Sequence, residues 1–226
     1  MAPPAVHRAG ESRRPFPRGT RRQDPHRRMA RRGGLAMSTW NIVVAGQGGQ
    51  GMRFLSTLLG RACAARGKQA ASASSYGPEV RGTFTRAEVI ISDEPIVYPR
   101  VLAPDLLAAL SQEGYDRVRG QVPAEGIILY DPGTVRPAAD VPARQFPVPA
   151  FQSAQELGTP HIANMVMLGA VAALTGVIDL AGLQEALPER GRERNAAALA
   201  RGFALGEELR AQMEKEGGLT RRRDVV

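Results

Sequence analysis

The feature that most constrains this chain is an apolar run that ends in four glycines within six residues. The run reads Asn41-Ile-Val-Val-Ala-Gly-Gln-Gly-Gly-Gln-Gly51, and a helix-like stretch follows from Met52 to Arg66. Glycine permits a positive φ and lets another group approach the main chain closely, and a helix N-terminus attracts anions such as phosphate. The pattern therefore predicts a buried strand, a tight turn and a helix, which together form the first β-turn-α unit of a Rossmann-like domain.

The glycine spacing leaves the function of this turn open. It fits the GxGxxG pattern of NAD(P)-binding turns, which is a weak signal on its own. Such proteins also place an acidic residue about twenty positions later to hold the ribose, yet no Asp or Glu occurs between Met52 and Tyr76. The alternative is that the glycines serve only the turn and the packing of the helix on the sheet. The candidate cofactor-binding residues are Gly46, Gly48, Gly49, Gln50 and Gly51.

Strand and helix signals alternate along the chain. This alternation predicts parallel strands with helices on both faces, so the expected fold class is α/β, a Rossmann-like three-layer sandwich with a mostly parallel sheet. The predicted strands cover 41–46, 68–75, 86–92, 105–111, 126–130 and 144–147. The predicted helices cover 51–66, 112–119, 153–158, 163–174, 179–187 and 195–216.

Charge and composition divide the chain into a core and two ends. Residues 1–36 contain ten arginines against two acidic residues, which leaves twenty basic and twenty acidic residues in the remainder. We expect 1–36 to be a disordered Arg- and Pro-rich extension, with Met37 a candidate start site, followed by one domain over 37–216 and a disordered tail over 217–226. A domain without net charge has no electrostatic reason to bind nucleic acid.

Cysteine and histidine usage argues against a metal centre. The chain has one cysteine, Cys63, whereas an iron–sulfur cluster takes about four, and we predict that Cys63 is a small core residue. Two of the three histidines lie within 1–36, and we predict no metal site. The uncharged, largely apolar stretch 161–178 is too short and too polar to span a bilayer, and we expect a cytoplasmic protein.

A second candidate site follows the second predicted strand. The segment Ser75-Tyr-Gly-Pro-Glu-Val-Arg-Gly82 should lie at the carboxyl end of that strand, the edge at which open α/β sheets bind ligands. We expect the first and second strands to be neighbours, which would place this segment beside the glycine turn. Arg81 would then offer a planar fork to a carboxylate or phosphate, and Glu79 would orient that fork. The alternative is a surface loop with a solvated ion pair of little energetic value.

Several ordered motifs resemble the gamma subunit of 2-oxoacid:ferredoxin oxidoreductases, and the resemblance is closest to the 2-oxoglutarate branch. It covers roughly residues 40–210. One departure is Thr83, where the family usually has a further glycine. The motifs are Val-Ala-Gly-Gln-Gly-Gly-Gln-Gly at 44–51, Ser-Tyr-Gly-Pro-Glu-Val-Arg-Gly at 75–82, Arg-Ala-Glu-Val-Ile-Ile-Ser-Asp at 86–93, Pro-Asp-Leu-Leu-Ala-Ala-Leu-Ser-Gln-Glu at 104–113, Tyr130-Asp131, and Asn-Met-Val-Met-Leu-Gly-Ala at 164–170.

The resemblance implies a division of labour among subunits. Alpha and beta subunits are the implied partners, with a ferredoxin-like delta subunit as a further candidate, and ferredoxin accepts the electrons. Thiamine diphosphate, Mg²⁺ and iron–sulfur clusters then reside on partners, and coenzyme A accepts the acyl group, so this chain holds no cofactor firmly and no catalytic residue is assigned in it. The rival functions are a free-standing NAD(P)-binding protein and a purely structural interface subunit. The residues implied to face a partner or coenzyme A are Tyr76, Gly77, Pro78, Glu79, Arg81 and Asn164.

Overall fold

The computed structural model describes residues 39–76 and 83–216. Six strands and six α-helices occur in these residues, together with short 3₁₀ helices at Arg119–Gln121 and Pro160–Ile162. The strands are β1 (Trp40–Gln47), β2 (Gln69–Tyr76), β3 (Phe84–Ser92), β4 (Leu106–Ala109), β5 (Ile127–Tyr130) and β6 (Arg144–Pro147). The helices are α1 (Met52–Ala65), α2 (Gln112–Val118), α3 (Ala150–Glu156), α4 (Ala163–Thr175), α5 (Leu180–Glu185) and α6 (Arg192–Lys215).

The strands form one sheet in the order β2-β3-β1-β4-β5-β6. The pairs β1–β4, β4–β5 and β5–β6 are parallel, whereas β3 runs antiparallel to both of its neighbours. Five strands therefore point in one direction, which confirms the mostly parallel sheet. Their carboxyl ends gather at one edge of the sheet, and the glycine turn lies at that edge because it follows β1 directly.

Helices cover both faces of the sheet, because the buried strands alternate their side chains between two cores. On β1, Ile42 and Val44 join a large core that includes residues of α1, α4 and α6. Val43 and Ala45 point to a smaller core that includes Tyr115 of α2. A strand that is buried on both faces reads as a continuous apolar run, as β1 does, so the three-layer prediction is confirmed.

Glycines allow α4 and α6 to cross in close contact. A Cβ on Gly202 of α6 would overlap the carbonyl oxygen of Val166 in α4, and a Cβ on Gly169 would overlap the carbonyl oxygen of Leu199. Since the opposing atoms are backbone, the two helix axes can approach this closely only where side chains are absent. This crossing fixes the position of α4, whose first turn reaches the carboxyl edge of the sheet.

The sequence-based boundaries agree with the structure to within a few residues. The largest shifts are at α3, which begins at Ala150 where 153 was predicted, and at α6, which begins at Arg192 where 195 was predicted. The predicted short strand at 144–147 is β6. In the part of the chain that the structure describes, none of the helices has both the length and the apolar character needed to cross a bilayer.

Candidate functional site

The turn between β1 and α1 depends on two glycines in the left-handed region. Gly49 has φ +96° and Gly51 has φ +78°, a conformation that costs a residue with a side chain about 1–2 kcal/mol. A Cβ on Gly49 would meet no atom within 4 Å, whereas a Cβ on Gly51 would overlap the Asn164 side-chain amide. Both positions therefore require glycine for their φ, and Gly51 also requires it for space.

Gln50 braces the turn from inside. Its Oε1 accepts a hydrogen bond from the Gln47 N–H at 2.7 Å, and its Nε2 donates to the Leu110 carbonyl oxygen at 3.2 Å. The side chain thereby links the end of β1 to the residue after β4. A Cβ on Gly46 would overlap Gln50 Oε1, so the first glycine of the motif makes room for this brace.

The N-terminus of helix α1 lies at the carboxyl edge of the sheet, and no acidic side chain in its first turn balances its partial positive charge. Gly51 is its N-cap, no side chain caps it, and its first turn contains no acidic residue. Leu55 N–H donates to the Gly51 carbonyl oxygen at 3.0 Å, but no acceptor among the described residues takes the N–H groups of residues 52–54. Such free N–H groups and the partial positive charge of the helix end favour an anion.

A depression of about 480 Å³ opens beside the glycine turn. The exposed side chains of Arg53 and Thr57 come from consecutive turns of α1, and Thr85 comes from the start of β3. Arg53 adds a cationic group to the N–H groups of the helix end. The described lining residues are Gln47, Gly48, Gly49, Gly51, Met52, Arg53, Phe54, Thr57 and Thr85.

Asn164 lies against the other side of the helix end. It is the second residue of α4, it is only 7% exposed, and its side-chain amide contacts the α-carbon region of Gly51. Its Oδ1 has no hydrogen-bond partner among the described residues. A buried acceptor without a partner costs about 1–3 kcal/mol, so this oxygen is suited to an N–H or O–H supplied from outside the described chain.

Asp131, at the carboxyl end of β5, has no free carboxylate for acid–base work. It is 1% exposed, its Oδ1 accepts the Gly133 N–H at 2.8 Å, and its Oδ2 accepts the Phe151 N–H at 2.8 Å. The carboxylate thus closes the turn after β5 and stabilises the first turn of α3, which is a structural role.

The second candidate segment lies mostly outside the described residues. Gly77, Pro78, Glu79 and Arg81 are not among them, and for Tyr76 only the backbone is described, so their predicted role stays a prediction. The described residues on either side of 77–82, Tyr76 and Thr83, do lie at the glycine turn. Tyr76 pairs with Thr85 across β2 and β3, and the Thr83 carbonyl oxygen accepts the Gly48 N–H at 2.8 Å.

One sequence-based expectation about this edge was wrong. β1 and β2 were expected to be neighbours, but β3 lies between them. β3, the antiparallel neighbour of β1, therefore begins beside the glycine turn. In a dinucleotide-binding domain the neighbouring strand is parallel, and its carboxyl end carries the acidic residue that binds the ribose. The GxGxxG spacing is present without the strand order that usually accompanies NAD binding.

Sequence analysis missed the residues that complete the site. Arg53 and Thr57 line the depression, and their spacing of four on a predicted helix, directly after the glycines, was the available signal. The sequence could not predict that Thr85 lies at this site, because Thr85 reaches the glycine turn only through the antiparallel pairing of β3 with β1. Among residues 39–76 and 83–216, no group of three or more His, Cys, Asp or Glu is arranged to hold a metal ion.

Comparison with known proteins gives one family match. Residues 41–205 match the family described as pyruvate ferredoxin/flavodoxin oxidoreductase. A 2-oxoglutarate synthase subunit KorC of Methanocaldococcus jannaschii is 37% identical over 177 residues, which cover 74% of this chain and 94% of that protein.

Two solved structures share the fold. The gamma subunit of a keto/oxoacid ferredoxin oxidoreductase from Geobacter sulfurreducens has a TM-score of 0.66 at 32% identity, over 75% of this chain and 99% of that one. A 2-oxoglutarate:ferredoxin oxidoreductase from Magnetococcus marinus, with 2-oxoglutarate, coenzyme A and succinyl-CoA bound, has a TM-score of 0.69 at 25% identity. The match covers 75% of this chain and 31% of that longer chain.

Proposed function

Since this chain belongs to the pyruvate ferredoxin/flavodoxin oxidoreductase family, we propose that it is the gamma component of a 2-oxoacid:ferredoxin oxidoreductase. The complex oxidatively decarboxylates a 2-oxoacid to an acyl-CoA and passes the electrons to ferredoxin. The 37% identity to a 2-oxoglutarate synthase subunit supports 2-oxoglutarate as the substrate. Because its electron acceptor is ferredoxin, we place the complex in the cytoplasm.

The redox and decarboxylation chemistry belongs to partner subunits in this proposal. Thiamine diphosphate and Mg²⁺ supply decarboxylation and iron–sulfur clusters carry electrons, all on alpha, beta or delta partners. The donor set of this chain does not fit a cluster, because its one cysteine, Cys63, is buried and cluster ligation takes about four thiolates. We expect the isolated chain to have no activity.

The glycine turn is the part of this chain that we assign to coenzyme A. The observation that carries this assignment is the uncapped α1 N-terminus, whose first turn lacks acidic residues and contains Arg53. Coenzyme A is an anion with phosphate groups, which such a helix end favours. Gly46, Gly48, Gly49, Gln50 and Gly51 shape this surface.

Asn164 and the segment that contains Tyr76, Gly77, Pro78, Glu79 and Arg81 would face the same ligand or the adjoining partner. In this proposal the unpaired Asn164 Oδ1 accepts an N–H or O–H from one of them. Arg81 binds a phosphate, a substrate carboxylate or a partner carboxylate, and Glu79 holds its guanidinium in place.

Calorimetry with matched variants tests the assignment to coenzyme A. Gly49 (φ +96°) and Gly67 (φ +84°) both have positive φ and open space where a Cβ would lie, but Gly67 follows the far end of α1. Valine at either position imposes a similar backbone strain. We expect coenzyme A to bind the assembled complex more than about tenfold more weakly with Gly49→Val, a loss of about 1.4 kcal/mol, and unchanged with Gly67→Val.

The same titrations separate the rival functions. Equal coenzyme A affinity in the wild-type and Gly49→Val complexes would favour a purely structural interface subunit. Binding of NADH to the free chain with a dissociation constant below about 1 mM would favour an NAD-binding protein. Assaying the assembled complex against a panel of 2-oxoacids then tests the substrate, with 2-oxoglutarate expected to give the highest kcat/KM.

A further inference from the structure

The carboxyl edge of the sheet has two places beside the glycine turn where a ligand could lie. One is the crevice between β1 and β4, where the strand order reverses, because α1 after β1 packs in the large core and α2 after β4 packs in the smaller core on the other face. Open α/β sheets bind ligands at such a reversal. The other is the depression between α1 and the start of β3.

The chain itself fills the crevice between β1 and β4. Gln50 crosses it, since its Oε1 accepts the Gln47 N–H and its Nε2 donates to the Leu110 carbonyl oxygen. Helix α2 also lies close to the end of β1, because a Cβ on Gly114 would come within 2.8 Å of the Ala45 carbonyl carbon. A ligand could enter this crevice only if the hydrogen bonds of Gln50 were broken.

The depression between α1 and β3, in contrast, contains donors that lack partners. Thr85 is only 6% exposed and lines the depression, and its hydroxyl has no hydrogen-bond partner among the described residues. A buried polar group without a partner is destabilising, so this hydroxyl is suited to a ligand that supplies an acceptor. The exposed side chains of Arg53 and Thr57 add a guanidinium and a second hydroxyl. None of the described lining residues is acidic.

The chemistry of these groups favours a phosphate on this side of the helix end. The side chains of Arg53, Thr57 and Thr85 can each donate a hydrogen bond, and hydrogen bonds to an ionised acceptor are the stronger ones. The Phe54 ring, which is 40% exposed, adds an apolar wall. On the opposite side of the helix end, the unpaired Asn164 Oδ1 can only accept a hydrogen bond, so a phosphate is disfavoured there.

We propose that the phosphate-bearing end of coenzyme A binds in the depression between α1 and β3, and that Thr85 helps to select this ligand by donating a hydrogen bond to a phosphate oxygen. This inference rests on the proposed function. Coenzyme A carries its negative charge at its nucleotide end and has a neutral thiol end, so the nucleotide end matches the donors of the depression. Gln50 keeps the crevice between β1 and β4 closed, and the thiol end is free to reach a partner subunit.

Steady-state kinetics of the assembled complex with matched threonine variants tests the proposal. Thr85→Val removes the hydroxyl but keeps the β-branched shape that suits a strand. We expect the KM for coenzyme A to rise at least about tenfold, as for a lost hydrogen bond to a charged group, while kcat and the KM for 2-oxoglutarate stay unchanged. Thr85→Ser retains a hydroxyl and should bring this KM back to within about twofold of the wild type.

The control for this series lies on the other side of the glycine turn. Thr134→Val makes the same substitution at an exposed threonine whose hydroxyl donates to the Leu110 carbonyl oxygen, the acceptor that Gln50 also uses. Because Thr134 belongs to the side of β4, we expect this variant to leave the KM for coenzyme A unchanged.

Arginine variants on α1 give a second test. Arg53→Gln removes the guanidinium that faces the depression, and Arg61→Gln removes an exposed guanidinium two turns further along α1. Both variants should fold, because both side chains are exposed and glutamine suits a helix. By calorimetry, coenzyme A should bind the Arg53→Gln complex about fivefold more weakly and the Arg61→Gln complex as it binds the wild type. Pantetheine, which lacks phosphates, should bind the wild-type, Thr85→Val and Arg53→Gln complexes equally.

Several results would overturn this inference. They are an unchanged KM in Thr85→Val, an equal rise in Thr85→Ser, or a rise in Thr134→Val instead. Equal weakening of pantetheine would also overturn it, because the substitutions would then distort the turn without removing a phosphate contact. If Gly49→Val still weakens coenzyme A binding in these cases, the proposed function stands. If the wild-type complex binds no coenzyme A, the proposed function and this inference both fail.

Discussion

At the scale of single residues, the glycines of the turn between β1 and α1 are required for different structural reasons. Gly46 makes room for the Gln50 brace, Gly49 supplies a left-handed φ alone, and Gly51 supplies a left-handed φ next to Asn164. The spacing of glycines in the sequence does not reveal these differences. They follow from the neighbours that a Cβ would meet at each position.

Alanine at Gly51 should therefore destabilise the protein more than alanine at Gly49. We expect Gly49→Ala to cost about 1–2 kcal/mol for its φ, and Gly51→Ala to cost more because its Cβ also overlaps the Asn164 amide. Chemical denaturation of the single variants and of Gly51→Ala combined with Asn164→Ala gives a double-mutant cycle. The Asn164→Ala change should cost less in the Gly51→Ala background than in the wild type, and additive costs would contradict the contact.

Cys63 makes a pH-dependent contribution at alkaline pH. Burial raises the pKa of the Cys63 thiol to about 12 from its usual 9.0. Between these values the unfolded thiol ionises while the folded one stays protonated, so the folded state binds more protons and stability falls as pH rises, by at most about 1.4 kcal/mol per pH unit. At pH values well below 9.0 the thiol is protonated in both states and adds almost no slope.

Urea unfolding of wild type and Cys63→Ala at pH 8, 9 and 10 measures this slope. The wild type should lose stability faster than the variant between pH 9 and 10, and the difference between the two should be much smaller between pH 8 and 9. Parallel curves over the whole range would show that the thiol is not desolvated.

At the scale of elements, the crossing of α4 and α6 sets where Asn164 lies. Gly202→Ala would place a Cβ on the Val166 carbonyl oxygen, and a backbone atom cannot move aside as a side chain can. We expect a loss of about 3 kcal/mol, the upper end for overpacking, measured by thermal or urea unfolding.

Gly60→Ala in α1 is the matched control for this prediction. Gly60 is also a buried glycine inside a helix, but its Cβ would lie at an ordinary 3.7 Å from Ala70 Cβ and from Val89 Cγ2. Alanine favours helix by about 1 kcal/mol over glycine, so Gly60→Ala should be neutral or stabilising. Equal losses in the two variants would mean that α4 and α6 do not meet as described.

Arg81 carries the prediction for the segment between β2 and β3. If it binds an anionic group within the assembled complex, Arg81→Ala should cut turnover by well over tenfold, since losing one partner of a buried charge pair costs about 2–5 kcal/mol. Arg61→Ala, on the exposed side of α1, is the control and should have no effect. Wild-type turnover of the Arg81→Ala complex across coenzyme A concentrations would make Arg81 a surface residue.

The sequence predicted the elements better than their arrangement. The apolar run of β1, the Pro- and Gly-marked turns and the apolar stretch of α4 are local signals, and the corresponding elements formed where they were expected. The place of β3 between β1 and β2 depends on pairing between distant residues, such as Val43 with Glu88, which no local pattern encodes. For the same reason, the sequence did not reveal that Thr85 lines the depression beside the glycine turn. It also did not reveal that the Asn164 side chain occupies the space next to Gly51.

At the scale of the whole molecule, this fold supplies surfaces to a larger enzyme. One edge of the sheet has free N–H groups at the α1 terminus, and the connection between β3 and β4 exposes the apolar side chains of Val97, Tyr98 and Leu102. Two acidic residues follow strand ends at the glycine-turn edge: Asp131 accepts hydrogen bonds from backbone N–H groups, and Glu113, in the first turn of α2, pairs with Arg117 at 2.8 Å. These features suit a component that binds and positions, with the bond-breaking steps on other subunits.

An omission and add-back assay tests this account most directly. Partner subunits purified without this chain are mixed with 2-oxoglutarate, coenzyme A and oxidised ferredoxin, and ferredoxin reduction is followed before and after the full-length chain is added. We expect the chain alone to be inactive, the partners alone to turn over at less than about a tenth of the complete rate, a barrier increase of about 1.4 kcal/mol, and add-back to restore the rate. Full activity of the partners without this chain, or no recovery on add-back although the chain binds them, would contradict its role as the gamma component.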